Sequence, residues 1–327
     1  MGVKGHIGII LLNLGGPDSI RAIRPFLFNL FSDRDIIRLG PAFMQKPLAL
    51  LISLLRSGKT EKAYNLIGGK SPILDITKAQ AKALENLLNP IYEIQASRFK
   101  VYVGMRYWHP FIEETIERAI KDGVKSLIGL SLYPHFSIAT TGSALKEFER
   151  VIKGRKEQIS YSFIGSWYDH PLYIEAMVDV IKKGFESFGR MPVLFSAHSL
   201  PQRFIIEGDP YLEEIKGTIK AISGKIEIES YLSFQSKSGP VKWLEPSTEK
   251  MLHTLAERGI KKILVVPISF VSDHVETLYE IDILYKGLAD QLGIKLFRTE
   301  SLNTHPTLIR ALKDMVIRKV KELEWTG

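Results

Sequence analysis

Eight short apolar runs, rich in β-branched residues, recur along this chain: IGIILLNL (7–14), FKVYVGM (99–105), VKSLIGLSLY (124–133), ISYSFIG (159–165), PVLFSAHS (192–199), IEIESYLSF (226–234), KKILVVPISF (261–270) and IKLFRTE (294–300). Helical patterns stand between them. A strand that is apolar without alternation is covered on both faces, and strands separated by helices run parallel. The chain is therefore constrained to an α/β fold with parallel sheets, and eight strands divide naturally into four and four.

An internal repeat supports that division. HPFIEETIERAIKDGVKSLIGLSLYPHFS (109–137) aligns without a gap on EPSTEKMLHTLAERGIKKILVVPISFVSD (245–273), pairing Pro110 with Pro246, Gly123 with Gly259 and Lys125 with Lys261. Continued upstream, the same alignment sets Arg106 and Tyr107 opposite Lys242 and Trp243. A duplication predicts two similar doubly wound halves facing each other. Open α/β sheets bind ligands beyond the carboxyl ends of their strands, most often between domains, so Tyr133, His198, Gln235 and the acids after residue 270 are expected to share one cleft.

Those acids are unusually dense. SFVSDHVETLYEID (269–282) carries Asp273, His274, Glu276, Glu280 and Asp282. Asp273 followed by Glu276 is a capping-box-like helix start. Beyond that, Asp273, Glu276 and Glu280 fall at i, i+3 and i+7 of one helical face, where each like-charge pair costs roughly 0.2–0.5 kcal/mol, and no Lys or Arg follows before Lys286. Such a face is expected to serve something other than the helix. In the repeat, Asp273, His274 and Glu276 lie opposite Ser137, Ile138 and Thr140, so the charge belongs to the second half alone. The first half is expected to hold the ligand and the second to supply reacting or metal-handling groups.

His198 ends an apolar strand and is followed by Ser-Leu-Pro, which places its ring in the expected cleft. His135 is as well suited to packing as to function, and His274 turns away from the Asp273 face. One imidazole with a few carboxylates makes a poor structural zinc site and suits an ion that is handed on. The chain has no cysteine, which excludes disulfides, thiolate metal sites and cysteine-ligated clusters, and fits a reducing compartment. GGKS (68–71) and SGKT (57–60) lack the first glycine of a phosphate loop, and GLSLY (129–133) lacks the last glycine of a nucleophile elbow. A net charge of +8 favours an anionic partner, but Lys and Arg are scattered among 36 acids without a nucleic-acid-binding motif, leaving small anions or an anionic membrane surface. The start MGVKGHIGIILLNLGG, with Lys4 before a short apolar run, reads as a strand entering a turn rather than a signal peptide.

The segment LGPAFMQKPLALLISLLRSGK (39–59) reads either as an amphipathic core helix or as a membrane lip. PLALLISLL is too short to span a bilayer, which takes about 20 residues, and is flanked by Lys46, Arg56 and Lys59. Inserting four or five of its aliphatic side chains, at about 1.5–3 kcal/mol each, would outweigh about 1 kcal/mol per flanking cation.

Taken together, LLNLGGPDS, FSDRDI, IGGKSPI, GMRYWHP, LYPHFSIATTGS, FSAHSLP, GDPY, FQSKSGPVKWLEP and PISFVSDHVETLYEID resemble the successive motifs of the ferrochelatases, in family order from residue 7 to about 302. The resemblance implies two Rossmann-like domains, each with a doubly wound, parallel four-stranded sheet, with residues 1–165 in the first and 166–327 in the second. The last helix, 305–323, is expected to pack back on the first domain. Protoporphyrin IX would lie in the cleft between them and receive ferrous iron, with a lip at 39–56 (Leu48, Leu51, Ile52, Leu55) at its mouth. By the same matching, His198 and Glu276 are the catalytic and metal-handling pair, and Asp273 and Glu280 extend an acidic path. Arg56, Tyr64 and Ser71 contact porphyrin carboxylates, while Leu14, Arg106, Tyr107 and Trp243 line or support the pocket.

The resemblance implies iron as substrate with no resident cofactor. The chain ends at Gly327 without the cysteine-bearing tail of animal members, so no iron–sulfur cluster is expected. Leu14 resembles the protoporphyrin branch rather than the coproporphyrin branch, where Tyr is expected. The implied location is cytoplasmic, peripheral on the inner face of the membrane, with the oligomeric state left open. Three alternatives remain: a coproporphyrin ferrochelatase, a cobalt chelatase, and a non-catalytic tetrapyrrole carrier that would not need the stacked acids.

Overall fold

The computed structural model describes residues 6–89, 99–237, 239 and 241–325. Lys4, and Ser238 and Pro240 of the FQSKSGPVKWLEP motif, lie outside the described residues. All eight expected strands form: β1 Ile7–Asn13, β2 Phe99–Met105, β3 Ser126–Ser131, β4 Ser160–Ile164, β5 Val193–His198, β6 Ser230–Gln235, β7 Lys262–Pro267 and β8 Lys295–Arg298. They build two parallel sheets of the same order, β2-β1-β3-β4 and β6-β5-β7-β8. β6 begins later than the apolar run suggests, because Ile226 still hydrogen-bonds back to Ile222 at the end of the preceding helix.

The helices are α1 Ile23–Ser32, α2 Gln45–Asn65, α3 Ile73–Leu88, α4 Ile112–Lys121, α5 Ser143–Lys153, α6 Pro171–Phe188, α7 Gln202–Ile206, α8 Tyr211–Ser223, α9 Thr248–Glu257, α10 Lys286–Gln291 and α11 Pro306–Glu322. Two segments, Ile138–Gly142 and Glu276–Tyr285, are π-helical. Successive side chains of a strand point to opposite faces, and β1 shows the consequence. Its Ile7, Ile9 and Leu11 enter a core shared by α3, α6, α11 and the inner face of the second sheet, whereas Ile10 and Leu12 pack with α4 and α5 on the outside. In the second half, Leu194, Ile263 and Val265 pack outward on α9 and α10. The final helix α11 lies against α6 and against α3 of the first half.

The two halves match in detail. Both His109–Pro110 and Glu245–Pro246 are cis, and Gly123 and Gly259 sit at φ 80° and 78°, left-handed positions that glycine adopts without strain. The register corrects the alignment upstream of the repeat. Ile9 pairs with Val101 and Ile128, as Val193 pairs with Ser230 and Leu264, so Arg106 corresponds to Gln235 and Tyr107 to Ser236 rather than to Lys242 and Trp243. The isolated bridges Met105 to Phe111 and Phe234 to Ser247 agree, and they show that the second half carries a longer loop at this point. By the same register, Leu14 in the first half is the counterpart of His198 in the second.

Candidate active site

Three adjacent strand ends of the second sheet deliver His198 from β5, Gln235 from β6 and Ser269 from just beyond β7. The crevice between β5 and β7, where the strand order reverses, is where a doubly wound sheet receives ligands. The backbone of His198 is held at both polar groups: its N–H donates to Ser269 Oγ at 2.9 Å, and its carbonyl accepts from Tyr211 Oη at 2.9 Å. Phe270 meets the imidazole edge-on at 6.2 Å.

His198 Nδ1 is 2.9 Å from Glu276 Oε2. When Nδ1–H donates to the carboxylate, the neutral ring keeps its lone pair on Nε2. About a third of the side chain, 33%, stays open, so that lone pair is accessible. Burial alone would lower the proton affinity of His198, but the negative charge and hydrogen bond of Glu276, with Glu280 behind, hold it above the ordinary imidazole value. Burial pulls Glu276 upward, yet His198, His274 and the Ser236 hydroxyl outweigh it and keep this carboxyl ionised far below the usual range. Burial and then repulsion from Glu276 push Glu280 up to about 7, although the Ser236 hydroxyl, His198 and, least of the three, Lys59 on α2 draw it partly back.

Ser236 joins the two acids, with Oγ 2.7 Å from Glu276 Oε2 and 2.6 Å from Glu280 Oε2. A hydroxyl has one proton to donate, so both contacts are hydrogen bonds only when one carboxyl is protonated. Glu280, with the raised value, is that carboxyl. Gln235 is oriented by Ser196 Oγ, which donates to its Oε1 at 2.6 Å, and its Nε2 then donates to the Glu276 carbonyl at 3.1 Å.

The acids of 269–282 do not share one face. Glu276 and Glu280 are on the widened π-helical turns, a form that recurs at functional sites. Asp273 lies before the helix and is enclosed: Oδ1 accepts from Arg298, Ser301 and Thr277, and Oδ2 accepts from Asn303. Arg298 also grips Asp282 with two bonds of 2.7 and 2.8 Å. The cation that neighbouring sequence does not supply before Lys286 therefore comes from β8, and it separates Asp273 and Asp282 from the Glu276–Glu280 pair. The Asp273 N–H donates to Asn303 Oδ1 rather than to Glu276, so no capping box forms between Asp273 and Glu276.

Other sequence-derived residues are placed as follows. Tyr64 is buried and hydrogen-bonded to Ser71; burial first, and then the charge of Glu276, push its hydroxyl far above the ordinary value, which brings both residues into the neighbourhood of the acids. Leu14 joins an apolar cluster that includes Tyr64 and Tyr107, and Val275 of the opposite half packs against the same cluster. Arg106 and Tyr107 support Leu14 through their N–H groups, which bond Asn13 and Leu14 carbonyls. Their side chains turn to Asp33 and Ser143, and they line an outer hollow of about 560 Å³ away from His198. Trp243 bridges to Pro201, close after His198. Arg56 is exposed on α2, with its guanidinium 5.4 Å from the Phe31 ring. His135 is buried against Thr218, and burial depresses it to about 3, so it is a packing residue. His274 is also buried, with Nε2 3.9 Å from Glu276 Oε1.

In the lip, α2 is amphipathic in reverse. Small Ala49 and Ser53 are buried against α1, Leu48 and Ile52 are half-buried, and Leu51 and Leu55 are 51% and 75% exposed. Phe43, Leu50 and Leu54, not singled out from sequence, extend the patch. Among the described residues, no helix is long and apolar enough to cross a membrane. Sequence reasoning also missed Ser236, Ser269, Tyr211 and Arg298. The in-register repeat would have exposed Ser236 as the counterpart of Tyr107, but the loop insertion hid it.

A family profile described as Ferrochelatase matches residues 6–320. The ferrochelatases of Geotalea daltonii and Geobacter metallireducens are 49% and 50% identical over 313 residues, covering 94% of this chain and 96% of theirs. That of Synechocystis is 47% identical over 327 residues, 97% of this chain and 84% of its own. Among solved structures, SirB from Bacillus subtilis with Fe3+ matches with a TM-score of 0.56 at 12% identity, over 98% of each chain. The sirohydrochlorin chelatase SirB from Bacillus subtilis subspecies spizizenii in complex with cobalt gives 0.57 at 13% identity, also over 98% of each; such low identity speaks for a shared fold. With relatives at about half identity along almost its full length, and a His–Glu pair at the strand ends of a chelatase-like α/β fold, this chain belongs to the ferrochelatase family of metal chelatases.

Proposed function

We propose that the chain inserts ferrous iron into protoporphyrin IX, forming protohaem, and that the observation carrying this reading is the His198–Glu276 pair with Nε2 left open. Insertion removes two pyrrole N–H protons and requires the ring to bend until its nitrogen lone pairs meet the ion. His198 Nε2 is the base that receives the two pyrrole protons one at a time, releasing the first to solvent from its exposed side before taking the second, and the imidazolium formed at each step is stabilised by Glu276 against Nδ1. His198 and Ser236 both engage Glu276 Oε2, which leaves Oε1 as the oxygen proposed to meet the incoming cation. Glu280, joined to Glu276 through Ser236, lies next in line and attracts iron once it has given up its proton. Tyr64, Ser71 and Arg56 are proposed for the porphyrin carboxylates, and Leu14 and Trp243 for the walls. Asp273, paired with Arg298, fixes the approach to the π-helical segment rather than relaying charge.

Mixing the chain with ferrous iron and either protoporphyrin or coproporphyrin, without nucleotide, tests the reading. Loss of porphyrin fluorescence with growth of the haem absorption is expected, faster for protoporphyrin. Faster turnover of coproporphyrin would reassign the substrate, and binding without turnover would make the chain a carrier.

The exposed α2 leucines with Lys46, Arg56 and Lys59 support peripheral contact with an anionic membrane. Leu51→Asp with Leu55→Asp is expected to release the protein from anionic vesicles in a flotation assay while leaving its thermal unfolding in place. Unfolding of the double variant would assign these residues to the core instead.

A further inference from the structure

The turn Gly208–Tyr211 sits where the halves meet and holds both. Asp209, only 4% exposed, reaches into the first half, where Oδ2 accepts from Ser137 Oγ at 2.9 Å and from Ile138 N at 2.8 Å. Its other oxygen accepts from Tyr211 N at 3.0 Å, which locks the turn. Tyr211 reaches the opposite way. Its Oη donates to the His198 carbonyl and accepts from Ser269, the hydroxyl that also takes the His198 N–H.

The ends of this connection matter because of what they join. On one side stands the backbone of the residue carrying the open imidazole. On the other, Ile138 opens the first π-helical segment, which runs directly into Ser143, and Ser143 bonds Asp33, Arg106 and Tyr107 beneath Leu14. Helix α8 continues the seam: Glu214 Oε2 accepts from Phe136 N at 2.6 Å and from Ser166 Oγ at 2.8 Å, and Thr218 meets His135. We propose that the Gly208–Tyr211 turn is a strut that sets the distance between His198 and the porphyrin-holding wall of the first half, making Asp209 and Tyr211 positioning residues for metal insertion.

Misplacing a catalytic group by about 1 Å can cost about 10²-fold in rate, so a strut of this kind acts on turnover more than on affinity. The halves do not depend on it to stay together. Gln80 of α3 bonds Ser272 and Asn303, and the shared core lies beyond. Cutting the strut lets the walls shift without separating them.

The inference rests on the reading of the cleft as a porphyrin site, and the test separates the two. Tyr211→Phe removes one hydroxyl and keeps the ring against His135, while Asp209→Asn keeps the shape and removes the charge. Each is expected to lower kcat about three- to tenfold, with porphyrin affinity by fluorescence titration within about twofold of the parent. The double variant is expected to be no slower than the worse single, because a strut severed at either end transmits nothing. Losses in kcat that multiply in the double variant, or that track a fall in Tm alone, overturn the strut while the parent stays active. A parent without turnover overturns the functional reading and the strut with it. If Asp209→Asn fails to fold, Ser137→Ala, which removes the hydroxyl that donates to Asp209, replaces it in the same cycle.

Discussion

His198→Ala is expected to lower the rate of iron insertion by roughly 10²-fold or more, the usual contribution of a positioned acid–base group, and to leave porphyrin binding within a few-fold of the parent. The two effects separate because the residue's roles do. Its Nε2 is an open lone pair, whereas its backbone, which the substitution retains, is what Ser269 and Tyr211 hold. The loss also strips Glu276 of its main counter-charge, so the cavity holds two carboxyls that compete for protons. Affinity for a large flat porphyrin comes from many apolar contacts, and one imidazole is a small part of them. Turnover and fluorescence titration on the same preparation check this; near-normal turnover would show that the proton acceptor lies elsewhere.

Glu276→Gln is expected to cut turnover at least tenfold, about 1.4 kcal/mol of barrier, and to change how stability depends on pH. Its amide cannot stabilise an imidazolium as a carboxylate does. The folded-state value of His198 is raised, so its pairing with Glu276 contributes stability that is complete below the free-imidazole value of about 6.5 and is lost as pH climbs through the higher folded value. Glu280 is raised to about 7, so the folded state is progressively disfavoured between the free-carboxyl value of about 4.3 and about 7. Both effects make the parent lose stability as pH rises from about 5 to 8. Without the Glu276 charge both weaken, and the variant's curve is flatter: less stable than the parent near pH 6, level with it or above it near pH 8. Thermal unfolding across this range measures the two curves, and a variant unchanged in both rate and pH dependence would make Glu276 structural.

The residues that sequence reasoning placed well share a property: their signal is local. Continuous apolar runs identify strands covered on both faces, and His198 stands out because Ser-Leu-Pro ends its strand. The repeat was legible where helix, glycine turn and strand follow without a gap, and it failed upstream, where a loop insertion shifts the counterpart of Arg106 from Lys242 to Gln235. Helical spacing grouped Asp273 with Glu276 and Glu280 because it assumed an ordinary α-helix and counted only neighbouring cations.

The sequence by itself determined the α/β class, the two four-stranded parallel sheets and the place of His198 at a strand end, because periodicity and strand termination depend on residues a few positions apart. Tertiary structure alone decided which acids work together. Arg298 arrives from β8 to neutralise Asp273 and Asp282, and Ser236 arrives from the β6 loop to join Glu276 to Glu280. Such partners are distant in the chain and meet only when sheet register and the π-helical turn are both in place. The same is true of Asp209, whose bonds to the opposite half have no counterpart in any local pattern.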